Sequence, residues 1–280
     1  MIDIHSHVLP RVDDGSDSMS ESLEILKGLA EQGTTDIIAT PHYVNGSTYM
    51  SPAVYNRQLL QALNYQLKQN KINIRVYLGN ELYIDRDLAE LIRKGHISTM
   101  ANSHYVLVEL PMSGEFHDYD DIIYSLQYQG YKVILAHPER YHSFQKDFSR
   151  IEELVQQGIL LQCNLGSILG QYGRSAKKTI KKLAKAKYIF ALGSDIHRKR
   201  DYTEITRAQK KLSRYYKKDQ FEEILVKNPS DILREGLAYS RAAAKTAAPK
   251  ATVRKVPAAR KVSATRKPTT RKTVRKPAAK

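Results

Sequence analysis

The 280-residue sequence predicts an α/β fold: parallel strands, each followed by helix, in a sheet curved or closed enough to bring the strand ends together. Three observations predict it. Seven short, apolar, β-branched runs alternate with longer amphipathic stretches. Glycines stand where several of those stretches stop. Histidines and carboxylates gather directly after the strands, and parallel strands present those ends on one side.

In chain order, the first strand is Ile2–Ile4. Ser18 and Glu21 then have the spacing of a capping box ahead of Leu23, Ile25, Leu26 and Leu29, and Gly33 stops that helix. Thr35–Ala39 is the second strand, with a helix over 53–69. Ile72–Leu78 is the third, followed by a helix over 86–94 and Gly95. Tyr105–Leu110 is the fourth, followed by 119–129 and Gly130. Lys132–Ala136 is the fifth, followed by 148–157 and Gly158. Ile159–Gln162 and the helix 174–186 form the sixth unit, and Tyr188–Leu192 the seventh, with helices over 202–216 and 219–226. Short runs that are apolar throughout suit parallel strands covered on both faces.

Charge divides the chain. It holds 45 Lys+Arg against 29 Asp+Glu, a net of +16. Residues 237–280 carry fourteen of the basic residues and no acidic one, so residues 1–236 form a nearly neutral body of 31 basic and 29 acidic residues. The segment after Gly236 is rich in Ala, Pro, Thr, Lys and Arg, with Pro249, Pro257, Pro268 and Pro277 interrupting any helix. It is expected to be a disordered tail that binds polyanions: nucleic acid, acidic polysaccharide or anionic lipid headgroups. Tyr239 is its one aromatic residue, which gives no support to base stacking. The lone cysteine, Cys163, excludes an intramolecular disulfide and a cysteine-rich zinc module, and suits a reducing cytoplasm. No secretory signal opens the chain and no apolar run reaches the roughly 20 residues that span a bilayer. The expected location is the cytoplasm, with the tail able to hold the protein at the inner face of the membrane.

The residues after the strands specify a chemistry. His5 and His7 follow the first strand, with Asp13-Asp14-Gly15 in the next loop. His42 follows the second, Glu81 the third, and Glu109 ends the fourth. His137 follows the fifth, and Asp195 and His197 the seventh. Side chains at i and i+2 of an extended segment point the same way, so His5 and His7 can share one ion, and Asp195 with His197 repeats the spacing. Mixed imidazole and carboxylate donors suit Zn, Mn or Fe. Nine candidates exceed the roughly four to six ligands of one ion, so two or three ions bridged by a carboxylate are expected.

His5-Ser6-His7, Asp13-Asp14-Gly15, Thr40-Pro41-His42, Glu81, His137-Pro138-Glu139-Arg140 and Ser194-Asp195-Ile196-His197 together resemble the PHP (polymerase and histidinol phosphatase) superfamily. Thr40-Pro41-His42-Tyr43-Val44-Asn45-Gly46 and the Gly166-Ser167 region make the chain more narrowly similar to the manganese-dependent bacterial protein tyrosine phosphatases of capsule and exopolysaccharide operons. The similarity runs from Met1 to about residue 236 and leaves out the tail.

The resemblance implies a distorted (β/α)7 barrel with a three-metal centre. His5, His7, Glu81 and Asp195 would hold the first ion; Glu81, Glu109 and His137 the second; Asp14, His42 and His197 the third. Arg140 corresponds to the arginine that grips the substrate phosphate, and Arg140, Asp195 and His197 are the expected catalytic residues. A second phosphate-binding arginine is either Arg198 or Arg200; Arg198 stands where the family usually has Asn. The implied reaction is metal-assisted hydrolysis of phosphotyrosine without a phosphoenzyme. The implied partner is a phosphotyrosine protein, a membrane-associated tyrosine kinase of polysaccharide synthesis. The cysteine-dependent route is opposed by the sequence itself: it needs an Arg six residues after the Cys, and Leu169 stands there. Two other readings are a histidinol-phosphate or other small-molecule phosphatase, and a nucleic-acid-binding protein acting through the tail. His96, His104, His117 and His142 match no ligand position, and Tyr43 and Tyr141 are placed either at the rim of the site or in the packing beneath it.

Overall fold

Alternating strand and helix is what the chain forms. The computed structural model describes residues 1–113, 119–199 and 204–247, with side chains to residue 243. In order these are β1 (Ile2–Ser6), α1 (Met19–Glu31), β2 (Asp36–Ala39), β3 (His42–Tyr43), α2 (Ala53–Gln69), β4 (Arg75–Leu78), β5 (Glu81–Tyr83) and α3 (Leu88–Arg93). They continue with β6 (Tyr105–Glu109), α4 (Tyr119–Tyr128), β7 (Lys132–Ala136), α5 (His142–Lys146), α6 (Ser149–Gln156) and β8 (Leu160–Asn164). The last are α7 (Leu165–Leu169), α8 (Gly173–Ala186), β9 (Ile189–Gly193), α9 (Ile205–Leu212), α10 (Lys218–Glu222) and α11 (Asn228–Ala247).

Every strand pair is parallel. Two sheets form, β1-β2-β4 and β3-β5-β6-β7-β8-β9. They share chain direction and register. β2 and β4 pair up to Ala39 and Leu78, and their continuations β3 and β5 resume pairing at His42 and Glu81. On the other side β1 meets the end of β9. Ser6 and Ile196 form a parallel bridge, the Asp195 N–H donates to the His5 carbonyl at 2.9 Å, and the His7 N–H to that of Ile196 at 2.9 Å.

Burial explains the run composition. Ile4, Ile38, Leu107, Ile134, Ala136 and Ala191 form one apolar cluster with Met100 and, from α11, Ile232 and Leu233. A larger cluster lies between the strands and helices such as α1 and α2, including Ile25, Leu26, Leu29, Ile37, Leu63 and Leu67. Covered on both faces, the strands are apolar over most of their length.

Several expectations are modified. Ser18 caps α1 by accepting from the Glu21 N–H at 3.1 Å, but the Glu21 carboxylate takes the Asp17 N–H, so the capping box is half made. β3 and β5 have no run of their own because they carry ligand-type residues, which breaks the apolar signal. Residues 219–226 divide into α10 and a π-helical turn over Glu223–Lys227. The C-terminal helix was not anticipated. It starts at Asn228-Pro229, where Pro is tolerated, and passes the composition break at Gly236 to reach Ala247. Ala-rich sequence favours helix, and the next Pro is Pro249. Glu235 ties α11 down: its carboxylate accepts from the His104 N–H at 2.7 Å and from Lys132 Nζ at 3.2 Å. Gly236 packs so closely that an added Cβ would lie 1.8 Å from the Ala101 carbonyl oxygen. Residues 248–280, the greater part of the basic tail, lie outside the described residues.

Candidate metal centre

β1 delivers the first two imidazoles. His5 and His7 are fully buried, and their Nε2 atoms lie 3.2 Å apart. Glu81, the first residue of β5, brings Oε2 to 3.2 Å from His5 Nε2 and 3.3 Å from His7 Nε2. Asp195, just beyond β9, places Oδ1 3.4 Å from each of the same two nitrogens. Neighbouring donors at such separations can share one ion, since ligands about 2.1 Å from a metal lie about 3–3.4 Å from their neighbours.

A second grouping shares Glu81. His42 Nδ1 lies 3.0 Å from Glu81 Oε2 and 3.7 Å from Glu109 Oε2. His137 Nε2 lies 2.9 Å from Glu81 Oε1 and 3.7 Å from Glu109 Oε1. A third is more open: the half-exposed Asp14 carboxylate lies 3.6 Å from His42 Nε2 and 3.5 Å from His197 Nε2. The ring of His7 stacks on that of His197, with centroids 3.9 Å apart. Donor atoms of His7, Asp14, His42 and His197, of His5, His7 and Glu81, and of His42, Glu81 and Glu109 each converge closely enough for one ion.

The donor set fits divalent metal better than it fits a hydrogen-bonded core. Glu81 Oε2 is buried and accepts no hydrogen bond, although three imidazole nitrogens lie within 3.3 Å. His42 Nδ1 is equally unsatisfied. Buried polar atoms are almost always hydrogen-bonded, so close nitrogens and oxygens without that geometry mark lone pairs aimed at a common point.

Protonation reflects the crowding. Burial opposes the charged form of His5, but Glu81 and Asp195 outweigh it and push its pKa up to about 9. Burial pulls His137 down to about 4, against the attraction of Glu81. Burial, then the Glu81 charge, pushes Glu109 up to about 8. The backbone is constrained too: His137 and Asp195 have φ of 32° and 53°, which non-glycine residues rarely adopt.

Around the ligands lies a polar layer. Asp13 Oδ2 lies 2.7 Å from His7 Nδ1 and accepts the His42 N–H at 2.9 Å, so Asp13 orients ligands while Asp14 faces the cluster. Gln162 Oε1 lies 2.8 Å from His5 Nδ1; its amide nitrogen donates to Asn164 Oδ1 at 2.9 Å, and Asn164 Nδ2 donates to Asp195 Oδ2 at 2.7 Å. Glu139, wholly buried, accepts from the Asn164 N–H and the Ser167 hydroxyl. Gly193 makes room: a Cβ there would lie 2.6 Å from His5 Cβ and 2.7 Å from Gln162 Nε2. Sequence reasoning missed Gln162, Asn164 and Glu139 as site residues. The available signal was two amides at i and i+2 in Leu160-Leu161-Gln162-Cys163-Asn164, an otherwise apolar buried strand.

Arg140 donates from Nη1 to Asp195 Oδ2 at 2.7 Å, and its guanidinium carbon lies 4.4 Å from the centre of the Tyr172 ring. Arg198 pairs with Asp17 and with Glu21. Arg200 and His117 lie outside the described residues. Tyr141 is not at the rim: its buried hydroxyl donates to the Ala136 carbonyl and accepts the Leu110 N–H, both at 3.0 Å. Tyr43 is buried as well. Cys163 is buried, and burial pushes its thiol up well above the usual range, as an inert core residue requires.

Known proteins share this sequence and framework. Residues 1–234 match the family described as capsular polysaccharide synthesis, CpsB/CapC. Tyrosine-protein phosphatase YwqE of Bacillus subtilis is 33% identical over 197 residues, covering 70% of this chain and 77% of the relative. Tyrosine-protein phosphatase CpsB of Streptococcus agalactiae is 25% identical over 240 residues, 84% of this chain and 98% of the relative. A crystal structure from work on YwqE of Bacillus subtilis and CpsB of Streptococcus pneumoniae, described as unique metal-dependent tyrosine phosphatases, superposes with a TM-score of 0.79 at 30% identity. It covers 84% of this chain and 95% of that one. A phosphotriesterase homology protein from Escherichia coli, at 14% identity and a TM-score of 0.55, shares the fold. With its match running from Met1 into α11, this chain belongs to the CpsB/CapC capsular polysaccharide synthesis family.

Proposed function

We propose that the chain is a metal-dependent phosphotyrosine-protein phosphatase, acting on a tyrosine kinase that regulates capsule or exopolysaccharide synthesis. The observation that carries this reading is the convergence of His5, His7 and Glu81 donor atoms, with Asp195 within 3.4 Å of both imidazoles, beside a largely buried arginine, Arg140. The relatives' names and the YwqE/CpsB structure support the same activity.

In this reading the strands form a distorted (β/α)7 barrel. Counting β2–β3 and β4–β5 as two bent strands gives seven, and the Ser6–Ile196 bridge joins the first to the last. The ligand sets are His5, His7, Glu81 and Asp195; Glu81, Glu109 and His137; and Asp14, His42 and His197. Manganese is the expected metal, and the same donors accept Fe, Co or Zn. Bound divalent ions would supply an activated water and neutralise charge on the phosphate. Glu81, with Oε2 toward His5 and His7 and Oε1 toward His137, would be the carboxylate shared between two ions. Arg140 binds the phosphate: one of its five N–H donors is taken by Asp195 and its flat face lies against Tyr172, which leaves a fork for two phosphate oxygens. Asp195 holds that arginine and would also hold an ion, which would keep phosphate site and metal site together. His197 and Asp14, the more exposed ligands, stand where substrate enters. Residues 1–236 are the catalytic body, and residues 237–280 carry the basic segment that meets a polyanion at the cytoplasmic face of the membrane.

The test is hydrolysis of a phosphotyrosine peptide, histidinol phosphate and single-stranded DNA before and after chelation. Loss of phosphotyrosine hydrolysis with chelator and its return with Mn is expected. Preference for histidinol phosphate, or activity indifferent to chelation, overturns the reading.

A further inference from the structure

The near neutrality of residues 1–236 is an average over two unlike regions. Residues 173–218 hold sixteen Lys/Arg against three Asp/Glu, so the rest of residues 1–236 holds fifteen against 26. Within the basic region, 173–187 and 205–218 together carry thirteen Lys/Arg and no acidic residue. Both α8 and α9 pack against α7. Arg174, Lys178, Lys181, Lys182, Lys185, Arg207, Lys210 and Arg214 are all exposed.

These charges are close enough to feel one another. The Lys211 ammonium is held below its ordinary range, by desolvation and then by the charges of Lys177, Arg207, Arg214 and Lys181. Two of those four lie on α8. Among the described residues only Arg207 of the thirteen has a carboxylate partner, Glu204. By contrast Arg198 and Lys199, also in the basic region, are neutralised by Asp17, Glu21 and Glu24. Unpaired like charges held together on two helices cost stability, so they call for an external counter-charge.

We propose that the outer face of α8 and α9 is a docking surface for an anionic lipid bilayer. Three features select lipid over other polyanions. Ten of the thirteen residues are Lys, compact point charges on flexible stems, whereas bidentate reading of nucleic acid relies on Arg. No large hydrophobic or aromatic side chain is exposed on α8 or α9, so the face offers neither a base-stacking platform nor an apolar anchor for a protein partner. A lysine-rich amphipathic helix whose apolar side is already buried presents only charge, as suits a broad layer of headgroups. The strip also fixes an orientation. It starts at Arg174, two residues after the ring that lies against Arg140, so docking brings one edge of the metal centre toward the membrane surface.

The experiment uses the full chain, with Lys178, Lys181, Lys185 and Lys210 all changed to Gln, which preserves helix propensity. Co-sedimentation is measured with vesicles of mixed phosphatidylglycerol and phosphatidylcholine, and with phosphatidylcholine alone. Binding to the mixed vesicles is expected to fall about fivefold per lysine removed, and the parent protein's binding to fall steeply with salt. Hydrolysis of a small aryl phosphate should match the parent, which reports an intact fold. Unchanged vesicle binding would show that charge elsewhere suffices and overturn the proposal. So would vesicle binding that holds while binding to duplex DNA or a soluble acidic polysaccharide is lost.

Discussion

His5 Nδ1 and the Gln162 side-chain oxygen lie 2.8 Å apart, joining the first ligand strand to β8 beneath the metal centre. The contact makes Nδ1 the donor toward Gln162, so Nε2 is the nitrogen left for a metal beside Glu81 and Asp195. Gln162→Ala is therefore expected to weaken metal binding by about 10–100-fold while leaving every ligand in place. Titration of metal-free protein with Mn, followed by calorimetry, measures it. Gln162→Glu keeps the acceptor and should retain more affinity than the Ala variant; equal losses would assign Gln162 to packing alone.

Arg140→Lys keeps the charge and loses the fork. A charge-assisted hydrogen bond is worth about 1.5–3 kcal/mol, so kcat/KM for a phosphotyrosine peptide should fall about 10–100-fold. Metal content should be unchanged. If the variant also loses metal, the Asp195 contact rather than phosphate binding is what Arg140 provides.

Gly236→Ala should destabilise the protein, although in an ordinary helix the same change stabilises by about 1 kcal/mol. The added methyl meets the Ala101 carbonyl at 1.8 Å, and overpacking of this kind costs about 1–3 kcal/mol. The clash outweighs the propensity. Urea denaturation gives the sign directly.

Glu235 predicts a pH dependence. Burial opposes its ionisation, but the His104 N–H and the Lys132 ammonium outweigh burial and hold its pKa below the usual glutamate range. A depressed carboxylate contributes stability above its unfolded pKa of about 4.3 and loses it as pH falls through the lower folded value. Parent and Glu235→Gln should therefore differ most in melting temperature near neutrality and converge in acid. Differential scanning calorimetry across that range is the measurement.

What the sequence revealed and what it hid have physical causes. His5, His7, His42, Glu81, Glu109, His137, Asp195 and His197 were legible because such side chains are rare at the ends of apolar strands and share one chemistry. Gln162 and Asn164 are ordinary amides whose role depends on neighbours across the sheet, at His5 and Asp195. β3 and β5 were hidden because two- and three-residue strands carry no period. The basic face of α8 and α9 was hidden by counting charge over 236 residues, which cancels it against acidic residues elsewhere.

The docking of α11 decides where the chain can be cut. A truncation at residue 236, where composition changes, would remove Tyr239 and Ser240, whose side chains reach His104 and Asn102 at 3.1 and 3.4 Å. It would also leave Glu235 as the last charged side chain of a frayed end. A protein shortened there confounds loss of charge with loss of the last turns of α11 and of their contacts with His104 and Asn102. The clean deletion begins after Ala247: it retains the whole of α11 and still removes twelve of the fourteen Lys and Arg of residues 237–280, so any change in location or binding reports on charge alone.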